Sequence, residues 1–503
     1  MASHERRSTH ERERATNHHP SRFGGPPRKV TTITPEFTPA DRRAVLDRAA
    51  RLRQLPEADR DAIRIAQDPQ FPRWLQQITA TGGCAHPVHL AGSTTTLDGT
   101  TGEILHYYDT RNEPGERLHV RCRNRRATVC PACSRLHAGD TYHLVRAGLL
   151  GGKSVPADVR NRPRLFVTLT GPSFGPVHKA VDNCRPRRGA AACEHGRPLG
   201  CGAVHASNDR LVGQPLCADC YDYTGHVLWH AHASKLWDRF VIEVRRRLAS
   251  SAGLVQSRFA QHARLSFARV AEYQKRAAVH VHAVVRLDGP NGPGDEPPAW
   301  GTTGRLSGAV HASAGRVRVH TAYGPAVGEL ELRWGAQVDV RPLRVDGDGP
   351  DDDAVAAYVA KYVTKGASET GAGLDHPLTT YADIETVPVS KHVRSLMRTC
   401  WRLGGLPEYE PLNLRTWTHT LGYRGHILTK SRAYSTTYAA LRAERADHMG
   451  YVDLPDVVTE RQWRYVGSGH TPGAALIAAG IADDLAESRR LGAEARREGE
   501  WGR

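Results

Sequence analysis

The sequence predicts an α+β protein built around an antiparallel sheet, with helices on one face of that sheet. Four runs of β-branched and apolar residues predict strands, at 164–170, 264–273, 279–287 and 336–343. A short turn at 274–277 joins the second and third runs, which indicates a hairpin. Apolar residues at helical spacing predict helices over 224–249 and 354–365, with a shorter helix between them. The order strand, helix, strand, strand, helix, strand, helix is that of a split βαβ arrangement.

Composition and charge narrow the class of protein. The chain has 503 residues and a formal net charge of +16, which favours a polyanionic partner, nucleic acid ahead of a membrane surface. No apolar run approaches a membrane span, and the polar, basic N-terminus has no hydrophobic signal core. The ten cysteines are clustered, which argues for metal binding and against a disulfide framework. We therefore expect a cytoplasmic protein without a membrane partner.

Composition also divides the chain into five segments. Residues 1–35 are rich in His, Arg, Ser and Pro without periodicity, so we expect a disordered basic tail. Apolar residues at helical spacing predict a helical segment over 36–83. The other segments are a cysteine-bearing region at 84–150, the sheet domain at 160–403 with an insert at 184–220, and a basic, aromatic and helical C-terminal region at 404–503.

The first cysteine group predicts a structural zinc site. In Cys130-Pro-Ala-Cys133 two residues separate two thiols, which lets both thiolates reach one tetrahedral ion. Cys122 precedes this pair in a basic stretch, and Cys84 lies farther upstream. We expect all four cysteines to bind one Zn²⁺. A redox pair or two buried thiols is the alternative.

A second cysteine group lies in the insert. It closes with Cys217-Ala-Asp-Cys220, again a half-site for zinc, and more candidate ligands precede it than one ion needs. The expected ligands are Cys193, Cys201, Cys217 and Cys220, with His195 and His205 as alternates. The ion would fold an insert that lacks a core of its own. The whole chain is thus predicted to hold one or two structural Zn²⁺ ions.

A loose phosphate-loop pattern at 147–154 does not predict an ATPase. The mechanism needs a strand before the loop and a helix that begins at the Lys-Ser pair. Here a predicted helix over 141–150 comes before Lys153-Ser154, and Val155-Pro156 follows. We interpret the pattern as a chance match.

His280 and His282 are the first candidate catalytic ligands. They are two residues apart in the strand-like run Ala278–Leu287, so both side chains face the same side of a strand. Two imidazoles on a rigid element suit a metal ion. The hairpin would bring Glu272 beside this strand, where its carboxylate could complete a site for a divalent cation. A His-x-His pair taken alone is more often structural.

The helix predicted over 354–365 carries two tyrosines. Tyr358 and Tyr362 are four residues apart and share one face of a helix. Lys361 and Lys365 each follow a tyrosine by three residues, and a nearby ammonium favours the phenolate, which is the nucleophilic form. The pattern therefore suits tyrosine attack on a phosphodiester. The alternative is that the tyrosines only pack in a core.

Three motifs together resemble a known family. Phe166-Val-Thr-Leu-Thr170, His280-Val-His282 and Tyr358-x3-Tyr362-x2-Lys365 resemble the ordered motifs of rolling-circle replication initiators with the His-hydrophobe-His (HUH) nuclease fold. The two-tyrosine form resembles phage-type and plasmid-type initiators. The wider pattern, including Pro215–Tyr223 and Gly425–Ser435, resembles initiators of actinomycete plasmids and integrative conjugative elements.

The resemblance implies a ferredoxin-like HUH endonuclease domain at 160–403. It implies nicking at a double-strand origin, a 5′-phosphotyrosine, and a 3′-hydroxyl that primes host polymerase. It also implies Mg²⁺ or Mn²⁺ at the histidines. Because no ATPase is predicted, a host helicase would unwind the DNA.

The region after residue 394 adds a candidate surface for single-stranded DNA. Arginine and lysine residues alternate there with tryptophan and tyrosine residues. Bases can stack on such aromatic rings, and phosphates can pair with the positive side chains. We expect Arg424, Lys430 and Arg432 to contact DNA. A solvated basic surface with the aromatic residues in the core is the alternative.

Two other functions remain open from the sequence. One is a two-tyrosine transposase, which shares the chemistry. The other is a zinc-dependent DNA-binding regulator without nuclease activity. A conjugative relaxase is less favoured, because Ala283–Arg286 provides no third histidine after His282.

Overall fold

The computed structural model describes residues 38–180, 184, 192–343, 351–363, 377–448 and 456–501. The helices are α1 (Pro39–Gln54), α2 (Glu57–Ala66), α3 (Phe71–Ala80), α4 (Pro131–Leu150), α5 (Tyr223–Ser251), α6 (Phe259–His262), α7 (Thr303–Arg316), α8 (Asp352–Val363), α9 (Asp383–Thr386), α10 (Lys391–Leu403), α11 (Tyr438–His448) and α12 (Pro472–Trp501). The strands are β1 (Val88–Asp98), β2 (Ile104–Asp109), β3 (Leu118–Val120), β4 (Arg164–Thr170), β5 (Arg264–Tyr273), β6 (Val279–Asp288), β7 (Arg318–His320), β8 (Glu331–Arg333), β9 (Val338–Pro342), β10 (Leu428–Lys430) and β11 (Val457–Ser468). The predicted α+β class is confirmed.

Two predicted features lie outside the described residues, the basic tail at 1–35 and Lys365. Helix α1 belongs to one compact unit that ends at Pro56, and the chain from Glu57 onward forms the other. In the part of the chain that is described, no helix combines the length and the apolar character needed to cross a bilayer.

The central sheet has five strands in the order β10-β5-β6-β4-β9, and every neighbouring pair is antiparallel. Strands β5 and β6 form the predicted hairpin, in which Ala277 adopts a left-handed φ of 62° to close the turn. Strand β6 is the middle strand, and nearly all of its residues are buried. A strand covered on both faces needs apolar residues at successive positions, which is the pattern of 283–285.

Helices cover both faces of this sheet, which corrects the expectation of helices on one face. The long helix α5 packs on one face with Trp229, Trp237 and Phe240. Helices α4 and α8 pack on the other face, against Val270 and Val284. The physical reason is that successive residues of a strand point to opposite faces. The odd residues of β6 are all apolar and face α5, whereas on the other face Val284, with Ala268 and Val270 of β5, offers α4 and α8 an apolar surface.

The two ends of the chain from Glu57 onward form a second sheet that the sequence did not predict. Strand β11 pairs with β1 over its whole length, and β2 and β3 also pair with β1. Helix α12 then packs on α2. The predicted separation of 84–150 from 404–503 is therefore corrected, because these segments share one sheet.

Strand β10 and Tyr434 also tie the C-terminal region to the central sheet. Strand β10 is an edge strand on β5, and Tyr434 is fully buried and donates to the carbonyl of Val145 at 3.1 Å. Gly148 leaves room for this ring, since a Cβ there would lie 2.2 Å from it. The boundary predicted at 403/404 therefore divides one sheet. Tyr434 and the buried Tyr423 belong to the core and cannot line a DNA groove.

The phosphate-loop pattern has the geometry expected of a chance match. Helix α4 ends at Leu150, before the Lys-Ser pair. Lys153 and Ser154 adopt left-handed φ values of 53° and 66° in a turn, and Lys153 pairs with Glu444. No helix begins at this pair, so its N–H groups do not form a phosphate cradle.

A fully buried histidine on α5 predicts acid sensitivity. His230 Nδ1–H donates to the Leu421 carbonyl at 2.9 Å, and its Nε2 accepts from the Val279 N–H at 3.0 Å. Burial lowers the pKa of His230 to about 4, so below pH 6.5 the unfolded state binds a proton that the folded state does not. We expect this one residue to make the free energy of unfolding about 2 kcal/mol lower at pH 5 than at pH 7.

Urea unfolding at the two pH values tests this expectation. His230→Gln keeps a donor and an acceptor but does not titrate, so its loss of stability between pH 7 and pH 5 should be smaller than that of the wild type. An equal loss in both proteins would contradict the assignment.

Candidate metal and tyrosine site

Glu272, His280 and His282 come together on the central sheet. Glu272 lies directly opposite His280 across the hairpin, and its Oε2 is 2.7 Å from His280 Nε2 and 3.3 Å from His282 Nε2. The two Nε2 atoms are 3.1 Å apart. One ligand atom from each residue therefore faces the same small volume, as the hairpin register predicted from the sequence.

The charge state of the group suits a cation. Burial lowers the pKa of His282, which keeps this imidazole neutral with a lone pair on Nε2. Burial opposes the charged form of Glu272, but its contacts with His280 and His282 outweigh it and lower the pKa of this carboxyl to about 2. Two imidazoles and a carboxylate could hold a divalent ion, and the nitrogen donors suit Mn²⁺ better than Mg²⁺, which prefers oxygen ligands.

Helix α8 brings both tyrosines to this group. The Tyr358 hydroxyl is 3.0 Å from His282 Nε2, and the ring centroids of Tyr358 and Tyr362 are 4.5 Å apart. The Tyr362 ring centroid is 6.0 Å from that of His282. The tyrosines are therefore adjacent in the fold to predicted ligands that lie at least 76 residues before them in the sequence.

Salt bridges at the N-terminus of α8 fix the helix over the sheet. The buried Arg164 of β4 donates to both carboxylate oxygens of Asp352 at 2.9 Å. Asp353 accepts from the Tyr142 hydroxyl at 2.8 Å and from Arg146 at 2.6 Å. Because Tyr142 and Arg146 lie on α4, the segment predicted as a separate region at 84–150 helps to position the tyrosines.

The Tyr358 phenol is less acidic in the fold than the sequence suggested. Burial raises the pKa of Tyr358, and its neighbour Tyr362 raises it further, so this phenol is protonated at neutral pH. Lys361 Nζ lies 5.8 Å from the centroid of the Tyr362 ring, over its face. The expectation of a phenolate favoured by a lysine is therefore corrected for Tyr358.

Two residues of β4 support His282, and neither was assigned this role from the sequence. Thr168 Oγ1 lies 3.0 Å from His282 Nδ1 and can accept its proton, which leaves the Nε2 lone pair free. The Phe166 ring stacks on the imidazole with an interplanar angle of 2°. Their even spacing in the strand was the available signal, because it puts both on the face of His282.

Removal of the Thr168 hydroxyl is expected to weaken ion binding. Thr168→Val keeps the side-chain shape but cannot orient His282, so we expect Mn²⁺ affinity to fall about 10- to 100-fold in titration calorimetry. Thr168→Ser keeps the hydroxyl and should bind Mn²⁺ nearly as the wild type does. Equal affinities for the valine variant and the wild type would rule out this role.

Cys84, Cys122, Cys130 and Cys133 also come together. Their sulfur atoms all lie within 4.8 Å of one another, and Cys84 is fully buried. Backbone N–H groups approach three of the sulfurs: Ala85 N lies 3.3 Å from Cys130 Sγ, Cys122 N lies 3.3 Å from Cys84 Sγ, and Asn124 N lies 3.4 Å from Cys122 Sγ. Such contacts stabilise thiolates, so the group could bind a metal such as zinc.

The insert groups its ligands differently from the prediction. Cys193, Cys217 and Cys220 come together with His195, whereas Cys201 lies with His178, Cys184 and His205. The grouping of Cys201 with the other three cysteines is therefore corrected. Its backbone N–H bonds to the Cys184 carbonyl at 3.1 Å, which directs its thiol to the other group.

The three residues expected to contact DNA have different surroundings. Arg424 and Arg432 are exposed. Lys430 is half-buried, and its ammonium donates to the carbonyls of Ser431, Arg432 and Ser435 at 3.3, 3.3 and 2.9 Å. Its three donors are thus used within the chain, which favours a structural role for Lys430.

Fold and site together define an α+β protein in which Glu272, His280 and His282 could hold a metal ion and two tyrosines lie beside them. The chain belongs to the family of replication initiator proteins described for pSAM2 (RepSA), whose family model matches residues 70–483. It is similar to a replication initiator protein of Streptomyces ambofaciens, with 44% identity over 454 residues that cover 87% of this chain and 95% of that protein. No solved structure matches the chain.

Proposed function

We propose that this chain initiates rolling-circle replication of a plasmid or integrated element by nicking one strand of its origin with a tyrosine. The observation that carries the proposal is the 3.0 Å approach of the Tyr358 hydroxyl to His282 Nε2, beside His280 and Glu272. The family of the chain supports the replication role. The match to initiators gives no support to the transposase alternative.

The sheet supports an HUH nuclease fold. The histidine strand β6 is the middle strand, flanked by β5, which carries Glu272, and by β4. Helix α8, with Tyr358 and Tyr362, packs on the face that His280 and His282 share. Ligands on a rigid strand and nucleophiles on a packed helix are arranged before substrate binds, which lowers the entropic cost of reaching the reactive geometry.

The reaction would proceed by direct displacement. The Tyr358 oxygen attacks phosphorus, a bond to the tyrosine forms, and the bond from phosphorus to the 3′ oxygen breaks. The phenol loses its proton as it attacks, since its raised pKa keeps it protonated beforehand, and the leaving 3′ oxygen takes up a proton. The products are a 5′-phosphotyrosine and a free 3′-hydroxyl that can prime a polymerase. A divalent ion bound by Glu272, His280 and His282 would polarise the scissile phosphate.

The second tyrosine allows a second transfer. The rings of Tyr358 and Tyr362 are neighbours, with 4.5 Å between centroids. Because the phosphotyrosine conserves the energy of the phosphodiester, a 3′-hydroxyl can attack it and rejoin the strand. Two tyrosines permit one covalent link to form while another is resolved, which suits the start and the end of a replication round.

A cavity beside the site could admit a DNA strand. It has a volume of about 720 Å³ and is lined by polar side chains that include Lys179, Gln274 and Gln337. It also reaches Thr170, which lies opposite His280 on the neighbouring strand. The exposed Arg424 and Arg432 supply further positive charge for DNA.

The reaction would also need metal ions and two host enzymes. Mn²⁺ or Mg²⁺ would serve the nuclease site, and Zn²⁺ the cysteine groups. A host helicase would unwind the nicked duplex and a host polymerase would extend the 3′-hydroxyl, both in the cytoplasm.

Incubation with supercoiled plasmid tests the proposal. A plasmid that carries the DNA around the gene should be converted to an open circle with protein attached covalently, and only when Mn²⁺ or Mg²⁺ is present. A plasmid without that DNA should remain supercoiled. Sequence-specific binding with no open circle under any of these conditions would contradict the nuclease and favour the regulator.

A further inference from the structure

The insert between β4 and α5 contains two separate groups of four metal-binding side chains. The first consists of His178, Cys184, Cys201 and His205, and the second of Cys193, His195, Cys217 and Cys220. We propose that the insert binds two zinc ions, one in each group, through ligands that alternate along the chain. This proposal stands independently of the nuclease.

The first group has the spacing of a tetrahedral site. His178 Nδ1 lies 3.1 Å from His205 Nε2, and Cys201 Sγ lies 3.1 Å from the same nitrogen. Cys184 Sγ lies 2.9 Å from Cys201 Sγ and 3.5 Å from His178 Nδ1. Zinc bonds of about 2.3 Å to sulfur and about 2.0 Å to nitrogen put neighbouring ligand atoms roughly 3.3–3.8 Å apart. The three separations that involve a histidine nitrogen, 3.1, 3.5 and 3.1 Å, are close to this range, and the two sulfur atoms would move apart from 2.9 Å when an ion binds.

A carboxylate behind His205 points independently to a metal. His205 Nδ1 lies 2.6 Å from Asp209 Oδ2, so the ring donates there and turns its Nε2 lone pair toward the other three ligands. Zinc-bound histidines usually donate their second N–H to a carboxylate in this way, which fixes the tautomer and strengthens the ligand. His205 is buried even though the insert has little core around it.

The second group is built on a tight turn at residues 193–197 and on the half-site Cys217-Ala-Asp-Cys220. The N–H of Gly196 donates to the Cys193 carbonyl at 2.8 Å, and the N–H of Cys193 donates to the Arg197 carbonyl at 2.7 Å. This turn sets Cys193 and His195 side by side, and His195 Nδ1 lies 3.2 Å from Cys220 Sγ. Three thiols and one imidazole form an ordinary structural zinc set.

The ligands of the two groups alternate in pairs along the chain. The pairs are His178 and Cys184, Cys193 and His195, Cys201 and His205, and Cys217 and Cys220. The first and third pairs form one group, and the second and fourth form the other. Each site therefore closes a loop that contains part of the other site, so both ions stabilise the same fold.

The insert needs this stabilisation because, among its described residues from 192 to 216, the large apolar side chains do not form a core of their own. Leu199, Val204 and Leu211 are 45%, 58% and 49% exposed. A segment with so little buried apolar surface cannot offset the entropy of ordering its backbone without a crosslink or a metal.

Zinc content tests the proposal. We would use the full chain with His280→Ala and His282→Ala, so that zinc at the nuclease site is not counted. Elemental analysis should give three zinc ions per chain, one for the Cys84 group and two for the insert. Zinc X-ray absorption should give an average of three sulfur and one nitrogen ligand per ion. Two ions per chain with only sulfur ligands would overturn the proposal in favour of a single four-cysteine site in the insert.

A paired substitution supplies a second test. In the same background, His178→Gln with Cys184→Ser should lower the zinc content from three ions to two or one, since both residues bind the first ion. Cys400→Ser alters a buried thiol outside every group and should leave three ions. An unchanged zinc content in the paired variant would overturn the first site, as would a Cys184–Cys201 disulfide in the denatured, unreduced wild-type chain.

Discussion

Replacement of Tyr358 and Tyr362 together by phenylalanine is expected to abolish the covalent link between protein and origin DNA. Each substitution removes one oxygen and keeps the ring, so packing on His282 and Phe166 is retained. Without a phenol beside the ligand group, no side chain of α8 can attack phosphorus. We expect adduct formation to fall at least about a thousandfold, measured as a shifted band in denaturing gels with labelled origin DNA.

A third tyrosine supplies the control for this experiment. Tyr323 is exposed and lies outside the site, so Tyr323→Phe should form the adduct at the wild-type rate. Non-covalent binding of origin DNA by the double variant should remain close to that of the wild type. An adduct formed by the double variant would mean that the nucleophile lies elsewhere.

Loss of one cysteine from the Cys84 group is expected to cause the largest loss of stability. The group joins the loop before β1 to the start of α4, and Ala482 of α12 packs against it. Cys84→Ser should remove the ion, leave the buried thiols of Cys130 and Cys133 without it, and lower the free energy of unfolding by more than about 4 kcal/mol. Thermal unfolding and zinc analysis of the purified protein measure both effects.

Cys400→Ser is the matched control, because Cys400 is also fully buried but belongs to no ligand group. Its Sγ donates to the Leu414 carbonyl at 3.4 Å, a bond that a serine hydroxyl can replace. We expect this variant to keep its zinc and most of its stability. If Cys84→Ser retains both as well, the group has no structural metal.

Local sequence patterns were sufficient to predict the centre of the site. A hairpin with a short turn brings Glu272 onto the strand beside His280, and the register of the two strands then sets these residues opposite each other. Helical spacing likewise put Tyr358 and Tyr362 on one face of α8. These placements depend on residues close in sequence or on the fixed period of a strand or helix. They therefore do not depend on how distant parts of the chain pack.

Relations between distant segments could not be derived in this way. The pairing of β1 with β11 joins segments about 370 residues apart, and nothing in either strand specifies its partner. The same holds for Cys201, which was predicted to join Cys193, Cys217 and Cys220 but lies with His178, Cys184 and His205 in the folded insert. The raised pKa of Tyr358 also depends on burial that only the packed helix creates.

In the proposed function, a tyrosine of α8 becomes joined covalently to DNA. Peptide mapping of the adduct identifies the residue that carries the DNA. The wild-type adduct formed in Mn²⁺ would be digested with nuclease and trypsin and sequenced by mass spectrometry. We expect a nucleotide attached through phosphate to Tyr358 or Tyr362. A nucleotide on any other residue, or an intact DNA strand with no attached peptide, would contradict it.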